Sequence, residues 1–506
     1  SLCMIVRDSA RTLGAALKSI RPWVDEMIVV DTGSTDNTIE MAKDHGARVF
    51  TYPWCDDFSA ARNESIRHAR GQWVFWMDSD DTIDSDNGRR LRQLAYANQN
   101  QKILGFVMQV HCPVSRDDTC DVTVVDHVKM FRNLPDLRFE CRIHEQILGA
   151  IRRQSGEVAW TDIHVIHSGA DHSPEARKNK QDRDIRLLKL ELIDRPGHTF
   201  TLFNLGMTYS DMGEHHKAVE MLTQSLEASV AGESHVRKVY GLLINSLVEI
   251  GDDREAQKLC QQGLRTYPDD PELLFRRGVL SHRFGRCEDA IEAYSTILKQ
   301  PPARHFKSVD QGILGYKTRQ NLAMVFEDVG RMAEAEHQWR LIVDQKPDYS
   351  LGWMGLGRCL LSQNKLSQIE AVAEQMRQYP HLRISRLMLL GDLESARGST
   401  DQACRFFREA VEFSDESDLQ ALRALCRFLF ENGYNQDALS SLQHLAELVP
   451  SDGSVLHNIG RILMRMDRVD EAIGVYEQSL ELRPDHQLTR QLLEEARQQC
   501  RVGVSD

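Results

Sequence analysis

WVFWMDSDD, residues 73–81, sets five apolar residues against three aspartates and a serine. Such a run reads as a buried strand that stops at a sheet edge and hands carboxylates to whatever lies beyond it. In open α/β sheets the crevice outside the carboxyl ends of the strands is where ligands bind. Asp78 and Asp80 can share a divalent ion that carries a diphosphate. An isolated Asp-x-Asp also describes an acidic turn after a core strand, so the surroundings have to decide.

Around it, residues 1–170 alternate between two kinds of segment. Residues 2–6, 27–30, 47–51 and 73–77 read as strands, and 11–19, 38–45, 58–69 and 84–97 as helices. That order predicts βαβ units, a parallel sheet and right-handed crossovers. Beyond residue 97 the pattern loosens. Residues 103–110 and 123–131 read as strands of a more mixed region, with a loop over 115–121.

The rest of the chain is helical and repeats. A turn residue is followed five positions later by a small or apolar one at Gly213/Ala218, Gly251/Ala256, Gly285/Ala290, Gly330/Ala335, Asn364/Ile369, Gly398/Ala403, Gly433/Ala438 and Asp467/Ala472. Five of the seven intervals between turn residues are 34 or 35, and the 45-residue step after Gly285 implies an insertion near 301–308. NLGMTYSDMGEHHKAVEML at 204–222 and NIGRILMRMDRVDEAIGVYEQSLELRPD at 458–485 resemble the tetratricopeptide consensus. The fold class expected is thus an α/β domain with a mostly parallel, mixed sheet, followed by an all-α superhelix. The boundaries read as an α/β domain at 1–170, a bridging helical segment at 171–198, a repeat solenoid at 199–492 and a tail at 493–506.

Composition narrows the setting. A net charge of -13 argues against nucleic acid as a partner. No run of about 20 apolar residues predicts a transmembrane segment. The start SLCMIV is already strand-like rather than a signal peptide, and beginning at Ser1 points to native residues upstream. The eleven cysteines form no CxxC pair, which fits a reducing, cytoplasmic setting; a Cys112–Cys120 disulfide has no specific support.

No Gly-x-Gly-x-x-Gly follows the first strand and no Walker lysine is present, which disfavours a dinucleotide fold of the usual kind. Instead, Asp31 and Asp78 each end a strand-like run. Asp31 can accept the imide hydrogen of a uracil ring, or cap its own turn in DTGSTD.

Four stretches carry a resemblance: SLCMIVRDSARTL at 1–13, VVDTGSTDNT at 29–38, DDFSAARNESIRHARGQWVFWMDSDD at 56–81 and RIHEQ at 142–146. Together they resemble the inverting family 2 glycosyltransferases with a nucleotide-sugar fold. More narrowly they are similar to the bacterial branch related to the SunS peptide glycosyltransferases. The resemblance implies that Asp31, with Thr32, contacts the nucleoside and that Arg62 faces the base or a phosphate. It implies Asp80 as the metal ligand, with Asp78 at the ribose or in the metal shell. Asp81 is left between a supporting carboxylate and a helix N-cap. The cofactor implied is Mn²⁺ or Mg²⁺, and the donor a UDP-sugar.

The resembling enzymes place a His-Glu pair near the acceptor pocket. Glu145 is therefore the candidate base, with Asp136 and Asp162 behind it. His144 can bind phosphate, orient Glu145 or fill a core. In DIHVIHSG, His167 is the better candidate to complete a metal shell, and His164 the weaker one. Basic residues at 177–186, Lys178 and Arg183 among them, can meet a diphosphate or form a solvated helix face.

The leading expectation is a metal-dependent inverting glycosyltransferase whose repeats present a peptide or protein acceptor. Homodimerisation through the repeats is a second use for them. A surface or secreted glycan as acceptor, or a scaffold that has lost activity, are the alternatives.

Overall fold

A computed structural model describes the chain except for residues 98–99, 117–118, 170–172, 231–232, 234, 301–307, 416–417 and 504–506. It divides into two compact units, Ser1–Val325 and Phe326–Asp506.

The first unit opens with the alternating elements expected: β1 (Leu2–Val6), α1 (Leu13–Ile20), β2 (Met27–Asp31), α2 (Thr38–Asp44), β3 (Arg48–Thr51), α3 (Phe58–Arg67) and β4 (Trp73–Trp76). There follow β5 (Asp81–Thr82), α4 (Ser85–Ala97), β6 (Ile103–Arg116), β7 (Thr119–Arg132), α5 (Leu148–Arg153), β8 (Glu157–His167) and α6 (Pro174–Asp194). The sheet runs β3-β2-β1-β4-β7-β6-β8-β5. Its first four strands are parallel; β7 is antiparallel to both β4 and β6. Thus β6 and β7 form one long hairpin that covers most of the expected loop over 115–121.

Strand alternation explains the apolar runs. Trp73, Phe75 and Met77 join Leu2, Met4, Leu13 and Leu17 in one core layer. Val74 and Trp76 face the other side, with Cys3, Ile66, Phe131 and Phe139. A strand buried on both faces reads as continuously hydrophobic.

Helix pairs follow: α7 (Thr199–Asp211) with α8 (His215–Ala228), α9 (Val236–Glu249) with α10 (Asp253–Thr266), and α11 (Pro271–Arg283) with α12 (Cys287–Lys299). One apolar cluster joins Leu187 and Leu188 of α6 to Phe203, Leu205 and Tyr240, and also takes in Ile143, Trp54 and Phe58. The residues at 301–307 lie outside those described. Directly after them a short strand, β9 (Ser308–Asp310), pairs antiparallel with β7.

The repeat turns show why the period holds. Gly213, Gly251, Gly285, Gly330, Gly398 and Gly433 all have positive φ, as do Asn364 and Asp467 at the equivalent turns. Glycine and asparagine reach that region at least cost. A second rule operates within the hairpins. A Cβ on Gly206, Gly278, Gly391 or Gly460 would collide with Leu222, Tyr294, Phe407 or Tyr476, in each pair sixteen residues further on. The first helix must be bare there for the second to close on it. The second unit repeats this arrangement from Met332–Gln345 through to Gln487–Gly503.

Candidate active site

The three carboxylates after β4 do not share one role. Asp81 is sealed from solvent, and its Oδ2 accepts a 2.7 Å hydrogen bond from Lys129 Nζ, itself 1% exposed. The same carboxylate accepts the Asp78 backbone N–H and lies 2.9 Å from His167 Nδ1. Burial alone would push the Asp81 carboxyl up; Lys129 and His167 overcome it and hold the group far below the usual carboxylate range. Asp81 therefore organises the turn from within. The N-terminal cap of α4 is Asp84, whose Oδ1 accepts the backbone N–H groups of Asp86 and Asn87.

Asp78 faces a different cation. Arg62 of α3 donates from Nη2 to Asp78 Oδ1 at 2.7 Å and from Nε to Glu145 Oε1 at 2.5 Å. Its guanidinium lies 4.3 Å from the centre of the Trp76 ring, and Lys129 Nζ lies 3.8 Å from it. The indole is itself fixed by Nε1 donating to Val128 O. Burial works against ionised Asp78, but Arg62 and Lys129 carry the balance and lower its pKa. Arg62 Nη1 is buried and has no partner among the described residues, so one donor of a saturated-looking fork is unspent.

Among the described residues no lysine or arginine pairs with Asp80, only His167. Burial raises its carboxyl above the usual range, with His167 opposing and Asp78 and Asp81 adding to the rise. Its Oδ1 is 3.4 Å from His167 Nδ1. The Asp81 carboxylate raises the His167 imidazole against the effect of burial. One ligand atom each from Asp78, Asp81 and His167 lies within 4.8 Å of the others. Carboxylate oxygens and an imidazole are ligand types that Mn²⁺ and Mg²⁺ accept, but in this group the carboxylate beside Asp78 is the sealed Asp81 under Lys129, and the expected Asp80 is not in it.

His144 precedes Glu145 with φ of 55°, and its Nε2 is buried without a partner among the described residues. Burial pushes its imidazole down, which favours the neutral ring. Asp31 ends β2, two strands from β4 on the same carboxyl edge. Its carboxylate accepts backbone N–H groups of Gly33 and Ser34 at 3.0 and 3.1 Å, and the Thr32 hydroxyl donates to Val6 O. Ser79 and Ser9 are linked by a 3.1 Å hydroxyl contact, which ties the loop after β4 to that after β1. Lys178 is exposed on α6, while Arg183 pairs with Asp184 and lies over Phe58. His164 stacks on His111 instead of joining the acid cluster.

Sequence reasoning missed Lys129 and His127. Pairing steps from Phe106↔Met130 to Val107↔Val128, so Lys129 is the extra residue of a bulge. Bulges beside active sites re-aim a side chain. His127 stands edge-on to Trp76, and burial together with the Lys129 charge pushes its imidazole down to about 4. A lysine inside the apolar run 127–131, HVKMF, was the available signal.

A model of the glycosyl transferase family 2 matches residues 1–138, and tetratricopeptide repeat models match 201–229, 242–305 and 455–488. A TPR repeat-containing protein of Synechococcus elongatus is 29% identical over 311 residues, 60% of this chain and 66% of its own length. The SPbeta prophage-derived glycosyltransferase SunS of Bacillus subtilis is 26% identical over 227 residues, 44% of this chain and 52% of its own length. The chain thus spans just under two thirds of the first curated relative and about half of the second. A tetratricopeptide repeat protein of Parabacteroides merdae, solved by crystallography, aligns at 14% identity and a TM-score of 0.40, over 59% of this chain and 98% of its own. The chain carries an N-terminal family 2 glycosyltransferase domain fused to C-terminal tetratricopeptide repeats. Side chains clustered at Asp78, Asp81 and His167 could hold a metal. Among the described residues no helix is long and apolar enough to cross a membrane.

Proposed function

We propose that the chain is a metal-dependent, inverting glycosyltransferase of the SunS-like branch, moving a sugar from a UDP-sugar to a peptide or protein side chain held by the repeats. The observation that carries this reading is the Arg62 fork. It joins Asp78 of the strand-end cluster to Glu145 of the His-Glu pair and leaves Nη1 unspent. A buried donor with nothing to donate to suits an anionic ligand that arrives later.

In this reading Asp31 and Thr32 lie beside the nucleoside, and Arg62 Nη1 donates to the donor's phosphate or base. Asp80, with Asp78 and His167, would hold Mn²⁺ or Mg²⁺, which when bound neutralises charge on the departing diphosphate. Glu145 takes the proton of the acceptor hydroxyl or thiol as that atom bonds to the anomeric carbon. The bond from that carbon to the diphosphate oxygen breaks, and its electron pair leaves with the nucleotide. Inversion follows because attack comes from the face opposite the nucleotide. Arg62 on one oxygen of Glu145 aims the carboxylate, leaving the other oxygen for the proton. His144, Lys178 and Arg183 are assigned to the neighbourhood of the diphosphate.

Repeats offer long surfaces suited to extended polypeptide, which supports a peptide acceptor, with homodimerisation as their second use. The ten free thiols among the described residues support a reducing, cytoplasmic setting. In this reading the domain boundaries fall at 170/171, 198/199 and 492/493. The test is nucleotide release from UDP-, GDP- and dTDP-sugars with Mn²⁺, followed by intact-mass analysis of candidate acceptor proteins. Release of UDP and a mass gain of one hexose or N-acetylhexosamine is expected. No release from any donor, with acceptors present, would remove the enzymatic reading.

A further inference from the structure

A second group of ligating side chains lies away from the strand-end acids. Cys141, Glu191 and His198 each bring one ligand atom within 4.8 Å of the other two. They come from three separate segments: the loop after β7, the last turn of α6, and the residue that precedes α7. Glu191 is 5% exposed, and its Oε2 accepts the Arg142 backbone N–H at 2.8 Å. The Thr201 hydroxyl lies 2.7 Å from His198 Nδ1 and fixes the ring. Burial pushes the Cys141 thiol up to about 12, with the Glu191 carboxylate adding to the rise. Without a stronger cation the thiol therefore stays protonated.

A cationic neighbour of the trio is Arg195. Its Nη1 lies 3.3 Å from Glu191 Oε1 and 3.8 Å from Cys141 Sγ, and its side chain is 46% exposed. This is a long contact made by a half-exposed cation. It marks the spot as one where positive charge is favoured, and it can withdraw when a denser charge arrives.

We infer that Cys141, Glu191 and His198 form a zinc-class cation site that staples the transferase domain to α6 and the first repeat. One sulfur, one oxygen and one nitrogen match the mixed ligand taste of Zn²⁺ and set this site apart from the sulfur-free group at Asp78, Asp81 and His167. Three protein ligands leave the fourth position to water. Binding releases the thiol proton to solvent, and thiolate plus carboxylate then balance the ion's two charges. The Arg142 N–H and the Thr201 hydroxyl act as the outer contacts that orient Glu191 and His198. Cys141 is three residues from His144, so the staple also anchors the segment that bears the His-Glu pair. The inference does not depend on the transferase reading, because its test reads the metal itself.

The test is to titrate the full chain with Co²⁺ and follow the thiolate-to-cobalt charge-transfer absorption, which the oxygen-rich cluster cannot produce. One such chromophore per chain is expected. Zn²⁺ should abolish it and Mg²⁺ should not. It should vanish in Cys141→Ser and persist in Cys55→Ser, which alters an exposed thiol. Thr201→Val should weaken the ion by roughly 10- to 100-fold, as loss of an outer contact does. Absence of the band in the wild-type chain overturns the site even if a variant fails to fold. So does a band that survives Cys141→Ser or resists Zn²⁺.

Discussion

Lys129 Nζ and Asp81 Oδ2 lie 2.7 Å apart, and both side chains are closed to solvent. This pair sits under the strand end whose other two acids face the proposed ligand. Removing one partner would strand the other charge in the core. Lys129→Met is therefore expected to cost about 3–5 kcal/mol by chemical denaturation. Lys129→Met combined with Asp81→Leu should recover part of that loss. A single-variant cost below about 1 kcal/mol would contradict a sealed ion pair.

His167 gives a pH signature. The Asp81 carboxylate raises its folded-state pKa above the ordinary 6.5. A cationic group raised in this way adds stability that is fully present below the unfolded value and is lost as pH rises through the folded one. The gap in Tm between wild type and His167→Ala should therefore be widest below about pH 6.5 and narrow at alkaline pH. Taking the difference between the two chains cancels the opposing contribution of buried His127. A pH-independent gap would mean that only packing is lost.

Glu145→Gln separates chemistry from binding. The amide keeps the shape but cannot take a proton, and Asp78 remains to hold Arg62. Turnover should fall roughly 10²- to 10⁴-fold while the donor dissociation constant changes little. A lost donor affinity with unchanged turnover of bound donor would move Glu145 out of the base role.

Two glycines in one repeat hairpin should respond in opposite directions. A Cβ at Gly460 would stand 2.4 Å from the ring of buried Tyr476, whereas one at Gly474 meets nothing within 4 Å. Gly460→Ala is expected to cost about 1–3 kcal/mol through overpacking. Gly474→Ala should gain about 0.5–1 kcal/mol from reduced backbone freedom in the unfolded chain. Equal effects in thermal melts would refute the close-approach account of the repeat.

The parts of this molecule legible in the sequence are those set by local rules. The apolar run 73–77 marks its strand because both faces are covered. The turn residues mark the repeats because they need a left-handed backbone. Asp78, Arg62 and Glu145, separated by up to 83 positions, were each singled out by motif, and the fold brings them into one hydrogen-bonded set. Lys129 was not legible, since its aim depends on a bulge created by pairing with β6. Nor was the division of labour between Asp80 and Asp81. Adjacent identical side chains differ in burial and in the Lys129 cation beneath Asp81, which comes from a distant strand. The strand β9, which follows the repeat insertion, belongs to the same class of long-range feature.

The central claim is that the carboxyl edge at Asp80 holds the ion and the nucleotide together. Crystals of the full chain soaked with UDP and Mn²⁺, with the ion located by its anomalous signal, test it most directly. The account predicts manganese within bonding distance of the Asp80 carboxylate, the diphosphate on that ion, and the nucleoside beside Asp31. Manganese bound elsewhere, or UDP that binds away from the strand ends, would contradict it.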